Sequence, residues 1–296
     1  MKKIFIFATL FISASSAASA HGNHNETPII KAIPAAVSTP KVSITKNADE
    51  IIIKSNGVPN HKTGQFPSRN NPNSISAQDY TFKITAKPQK APRPTAVKNR
   101  MDFGVALNGV PFDPGTAEYW KRDRNSGWVE EGIINGQKML GIDENNAHVQ
   151  PNGAYHYHGK PMGMLTTNDV MHVGYAADGF KIYASTLDKH KSGYRLRTGL
   201  RSAGTYDAPP GRYDGTYTQD FDYFSDSGAL DRCNGTEING EYAYILTETF
   251  PFVPRCWVGT PDPSFKKEMI GRGPGSDGRR PPPHGRDGRR PPPPRF

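Results

Sequence analysis

Histidine is the residue type that carries chemistry in this chain. Nine occur in 296 residues, and His148, His156, His158 and His172 fall within a window of 25. On an extended strand His156 and His158 point to one face, roughly 7 Å apart along the chain, while Tyr155 and Tyr157 point to the other. Two imidazoles held that way form a bidentate platform for a transition metal, Cu or Zn foremost. The Pro151-Asn152-Gly153 turn just upstream suits a rigid ligand set. The competing reading of the same residues is a polar strand face whose rings bond to backbone and water. Met162, Met164 and Met171 lie nearby and would favour copper as ligands, but they serve equally as core filler. Asp178 could act as carboxylate ligand or general base and Glu144 as a base, although Asp178-Gly179 is first of all a turn dipeptide. The chain has no Gly-x-Ser-x-Gly, His-Glu-x-x-His or reactive-cysteine signature. That absence ranks metal binding ahead of catalysis.

The elements that must position these residues are short. Gly and Pro make up 57 of 296 residues, well above the usual ~12%, so long helices, bundles and coiled coils are excluded. From Lys41 onward, β signals alternate with turns. Val42 and Ile44 alternate, Ile51-Ile52-Ile53 reads as a buried strand, and Tyr80, Phe82 and Ile84 alternate again. Further strands are predicted at 103–107, 154–158, 180–183 and 241–247, with short helices only at 116–121 and 264–270. The expectation is a mainly β protein, one domain over residues 41–270, built as a sandwich of short antiparallel strands with long loops and disordered termini.

Residues 1–20 read as a secretory signal peptide, with Lys2 and Lys3, an apolar stretch from Ile4 to Ile12, and an Ala18-Ser19-Ala20 cleavage site. The predicted location is therefore periplasmic or extracellular, and no run is long and apolar enough for a transmembrane helix. Cys233 and Cys256 are the only two thiols. One disulfide is the simplest pairing in an oxidising compartment, two free buried thiols the alternative. Residues 21–40 read as a flexible leader. Cleavage after Ala20 would leave His21 at the new N-terminus, a copper brace only if that leader were rigid. Residues 271–296 repeat Asp-Gly-Arg-Arg-Pro-Pro-Pro and read as a disordered polyproline-II tail, either a contact for anionic cell-envelope polymers or a solvated arm. Of the net charge of +9, the signal peptide carries +2 and the tail +5 (seven Arg, two Asp). The remaining +2 on residues 21–270 gives no nucleic-acid groove.

The string Ala147-His148-Val149-Gln150-Pro151-Asn152-Gly153-Ala154-Tyr155-His156-Tyr157-His158-Gly159 resembles the YHYH domain family of exported proteins. The likeness extends over most of residues 41–260. It includes Ser55 to Gly64, Val105 to Asp113, Ala176 to Tyr183 with Lys181 in place of a proline, Cys233-Asn234-Gly235 and Phe250-Pro251-Phe252. The family has no settled activity. The resemblance adds His61 to His148, His156 and His158 as a metal ligand or a group supporting one. It also demotes His172, which falls where an apolar residue is expected.

One more pattern bears on the histidines. Asp143 to His158 and Asp231 to Ile245 both run Asp, Asn, then Asn-Gly-x-Tyr-x-Tyr. In the second segment Thr236, Ala243 and Ile245 stand where the first has His148, His156 and His158. An internal two-fold repeat is predicted, its second copy structural and braced by Cys233–Cys256. A chance match of two turn-strand segments is the alternative. Three functions follow from these residues: an exported metal-binding protein for storage, delivery or sequestration; a metal-dependent hydrolase or oxidase; or an envelope-polymer module with incidental histidines.

Overall fold

A computed structural model describes residues 38–267 apart from 99, 135–139, 167–168, 202–207, 227 and 229. The predicted signal peptide, nearly all of the predicted leader and the Arg/Pro-rich tail lie outside the described residues. Within them run fifteen short strands: β1 (Val42–Lys46), β2 (Glu50–Ser55), β3 (Tyr80–Thr85), β4 (Thr95–Ala96), β5 (Gly104–Ala106), β6 (Pro111–Phe112), β7 (Ala147–Val149), β8 (Tyr155–Tyr157), β9 (Met171–Ala176), β10 (Lys181–Ala184), β11 (Tyr194–Leu196), β12 (Phe221–Tyr223), β13 (Gly235–Ile238), β14 (Glu241–Leu246) and β15 (Cys256–Trp257). The protein is mainly β. No helix among the described residues is long and apolar enough to cross a membrane.

Eight strands form one sheet in the order β13-β14-β10-β9-β5-β6-β8-β7, and β1-β2-β3 form a second. In β3 the alternation puts Phe82 and Ile84 inward, and in β2 the predicted buried run is buried at Ile51 and Ile53 but only half-buried at Ile52, whose side chain points to the other face. These four buried residues join the same cluster as Val105, Phe112 and Tyr157 of the large sheet. Most pairings are antiparallel, but β6 and β8 run parallel, as do β10 and β14. Residues 113–154 and 185–240 separate these partners, and connections of that length permit parallel pairing where a tight hairpin would forbid it.

Neither predicted helix forms over its described residues, those at 268–270 of the second lying outside them. At 116–121 the chain makes only a 3-10 turn at Trp120–Arg122, and Lys121 and Arg122 adopt φ of 57° and 58°, which no right-handed helix continues through. At the second, only Pro263–Phe265 form a 3-10 turn, after which Lys266 is extended and bridges to Met101. Cys233 and Cys256 are joined in a disulfide, which ties β15 to the segment entering β13.

The two segments of similar sequence form hairpins at opposite edges of the large sheet, bonded alike. Asp143 accepts from the amides of Asn145 and Ala147 and from the Tyr155 hydroxyl. Asp231 accepts from the amides of Cys233 and Gly235 and from the Tyr242 hydroxyl. Asn146 and Asn234 both sit at positive φ, 55° and 57°. Toward the sheet centre, Phe112 faces Tyr157 and Ile182 faces Tyr244. The Tyr157 hydroxyl meets Asn108 in the β5–β6 turn, and that of Tyr244 meets Asp178 in the β9–β10 turn. Ala243 and Ile245 are buried.

Candidate metal centre

The β7–β8 hairpin builds the centre. Pro151 and Asn152 occupy its turn, closed by Gly153 N–H donating to Gln150 O, and Gly153 takes φ 83°. That local chemistry fixes the register, so His148 faces His156 directly across the pair. His158 follows β8 on the same face as His156. The three rings form a nearly equilateral triangle, with centroids 4.5 Å (148–156), 4.7 Å (156–158) and 5.0 Å (148–158) apart. One nitrogen from each lies within 4.8 Å of the others, close enough to share an ion.

Hydrogen bonds outside the triangle decide which nitrogens face in. His148 Nδ1 lies 3.1 Å from Leu140 O. The nearby Asn71 amide spends its two hydrogens on Leu140 O and Val149 O, so Nδ1 of His148 carries the proton and donates to Leu140 O. His156 Nδ1 in turn lies 3.3 Å from Ala154 O and donates to it. Both rings therefore keep an unprotonated Nε2, the form a metal requires, oriented by a partner on the other nitrogen. His156 Nε2 and His158 Nε2 approach to 3.0 Å. Burial holds the His156 and His158 rings well below the ordinary histidine range, with the neighbouring rings adding to the effect, and it lowers His148 as well. The cluster is a set of neutral imidazoles at neutral pH.

A cleft of about 1130 Å³ opens over the rings and gives a route from solvent. Its floor also carries Asp102, Asp113 and Lys267, none of which the sequence reading singled out. Asp113 follows β6, and its amide donates to Tyr157 O, which sets its Oδ2 4.0 Å from His156 Nε2. Lys267 Nζ bonds Asp113 Oδ2 and lies 3.4 Å from Asp102 Oδ1. Lys267 is delivered by its own amide donating to Arg100 O. Burial pushes the Asp102 carboxyl up to about 7, against the pull of Lys267 and with the help of the Asp113 charge.

His61 does not join the triangle. It stands on the tyrosine side of β8, where Nδ1 donates to Lys62 O at 2.7 Å and Nε2 accepts from the Tyr157 hydroxyl at 2.6 Å. With both nitrogens engaged it supports Tyr157, not an ion. His172, on β9, donates Nε2–H to Gly174 O and packs against Tyr175 and Tyr183. Asp178 is a turn residue: Gly179 beside it has φ 95°, and its Oδ2 accepts from Tyr244 and from the Gly259 amide. Burial raises its carboxyl to about 6. Glu144 is exposed in the loop before β7. Met162 is exposed, and Met164 and Met171 pack against the edge of the core.

Asp113 was within reach of sequence reasoning, since it ends the Val105 to Asp113 block that resembles the family. Lys267 was not, because nothing local signals a partner 154 residues away.

No curated protein and no solved structure matches the chain. The family model described as YHYH protein matches residues 81–259, more than half of the 296 residues and the span that contains the whole histidine triangle. With the Tyr155-His156-Tyr157-His158 string at the centre of that match, the chain belongs to the YHYH family.

Proposed function

We propose that this protein is exported and binds one transition-metal ion, Zn or Cu, on His148, His156 and His158, in a storage, delivery or sequestration role. The observation that carries this reading is the convergence of three neutral rings, His156 and His158 buried and His148 half-buried, two of them fixed by backbone carbonyls with the Nε2 lone pair facing inward. Ligand type, orienting bonds and an entry cleft are together what a metal site needs. A binding role is preferred to a hydrolase or oxidase because the bases considered from sequence, Asp178 and Glu144, lie outside the cluster. An envelope-polymer face made of tyrosines has less support, because Tyr155, Tyr157 and Tyr244 are fully buried with bonded hydroxyls. Contact with anionic envelope material is assigned to the tail, residues 271–296.

The test is the double variant His156→Ala, His158→Ala. It should retain the wild-type circular dichroism spectrum while its metal content falls from about one ion per chain to none. Unchanged metal content in the folded variant would overturn the proposal.

A further inference from the structure

Among the described residues, two acidic groups beside the triangle share one cation. Asp102 and Asp113 are both buried, and a single ammonium, Lys267, serves the two of them. The next pair of charges, Arg255 and Glu131, neutralise each other at 2.6 Å. Three neutral imidazoles would bring no negative charge to a divalent ion, and a 2+ charge left uncompensated in a buried site is costly. The nearest anionic atom to the rings is Asp113 Oδ2, 4.0 Å from His156 Nε2. Ligand atoms around a tetrahedral ion with bonds of ~2.0–2.1 Å lie ~3.3 Å apart, so this oxygen must close by roughly 0.7 Å on His156 Nε2 and turn further toward the other two rings, which with His156 alone form the group within 4.8 Å.

We propose that Asp113 is the fourth metal ligand, and that ion binding and the Asp113–Lys267 ion pair are mutually exclusive. This inference rests on the metal-binding reading above and specifies it. When the ion enters, Asp113 Oδ2 exchanges the ammonium for the metal. Lys267 Nζ moves fully onto Asp102, whose Oδ1 is already 3.4 Å away. Each carboxylate then has its own cation. Asp113 Oδ1 meanwhile keeps its bond from the Gly115 amide, which holds the carboxylate's orientation during the exchange. Four protein ligands close a tetrahedral set, the arrangement of a site that holds its ion and leaves no vacant position for a substrate. Lys267 is a built-in competitor: it keeps Asp113 compensated without metal and sets the affinity below what the bare ligand set would reach.

The experiment is zinc affinity, measured on the full chain by competition with a chromophoric chelator, for wild type, Asp113→Asn and Lys267→Met. Asp113→Asn should weaken zinc binding by at least about tenfold. Lys267→Met should tighten it by on the order of tenfold, because removing the competing ammonium leaves the ion as the only counter-charge for Asp113. General damage to the site would weaken both, so the opposite signs identify the exchange. Asp113→Asn should also shift the visible spectrum of the cobalt-substituted protein, as loss of a carboxylate oxygen requires. If Asp113→Asn does not fold, Lys267→Met alone decides, and unchanged or weaker binding overturns the exchange. Wild-type affinity that depends on His156 and His158 but not on Asp113 overturns this inference and leaves the metal reading standing. No zinc binding by wild type overturns both.

Discussion

Asp143→Ala should destabilise the protein by about 3–5 kcal/mol and lower its melting temperature by about 10 °C. The carboxylate accepts from the Tyr155 hydroxyl at 2.7 Å, from the backbone amides of Gly64 at 3.0 Å, Asn145 at 2.9 Å and Ala147 at 3.2 Å, and from the Asn145 side-chain amide at 3.5 Å. Alanine leaves the hydroxyl of a fully buried tyrosine and several amides without partners, and each such group costs about 1–3 kcal/mol. The same bonds fix the entry to β7 and hence His148, so zinc affinity should fall as well. Asp231→Ala is the matched control. It removes the corresponding bonds to Cys233, Gly235 and Tyr242 in the other hairpin, and it should cost stability without changing zinc affinity. Equal loss of zinc affinity in the two variants, measured by the same chelator competition, would show that the β7–β8 hairpin has no special tie to the metal.

The largest pH effect should come from the histidine triangle in metal-free protein. Burial holds His156 and His158 well below the ordinary histidine pKa and lowers His148. Below about pH 6.5 the unfolded chain protonates these rings while the folded chain keeps them neutral, so the unfolded state binds more protons and stability falls with pH. Each ring still neutral in the fold contributes about 1.4 kcal/mol of loss per pH unit. Raised carboxyls such as Asp102 and Asp178 act with the opposite sign, since the folded state holds their protons longer. The informative quantity is therefore a difference. The stability of wild type relative to His156→Ala, His158→Ala should drop between about pH 6 and 5, by up to about 1.4 kcal/mol per unit for each ring that the fold keeps neutral. Urea unfolding at a series of pH values measures it, and a difference that stays flat across that window would mean the rings take up protons in the fold.

What could be read in the sequence was local. The run Ile51-Ile52-Ile53 and the alternation of Tyr80, Phe82 and Ile84 form β2 and β3, with Ile51, Ile53, Phe82 and Ile84 buried and Ile52 and Tyr80 half-buried. The same period-2 logic placed His156 and His158 opposite Tyr155 and Tyr157. Strand β9 was missed because Met171–Ala176 carries Gly174 in its middle. That glycine is dictated by its neighbour: a Cβ there would lie 2.3 Å from Val105 O. The placement of His61 failed for a related reason. Alternation names the two faces of β8 but not which face a loop 90 residues upstream will cover, and Tyr157 claims the His61 ring. The Asp102–Asp113–Lys267 group depends on the segment at Lys266 and Lys267 returning to the residues flanking β5 and β6, a contact with no periodicity to reveal it. The six residues shared by the Asp143 and Asp231 segments fall on two hairpins at opposite edges of one sheet, with corresponding bonds to the two aspartates.

The central claim, that the triangle holds a metal ion, is tested most directly by elemental analysis of the full-length protein purified from its native cell without chelators. The account predicts about one equivalent of zinc or copper per chain, removed by dialysis against a strong chelator and regained on adding the metal back. Protein that is folded, carries no transition metal as isolated and takes up neither zinc nor copper afterwards would contradict it.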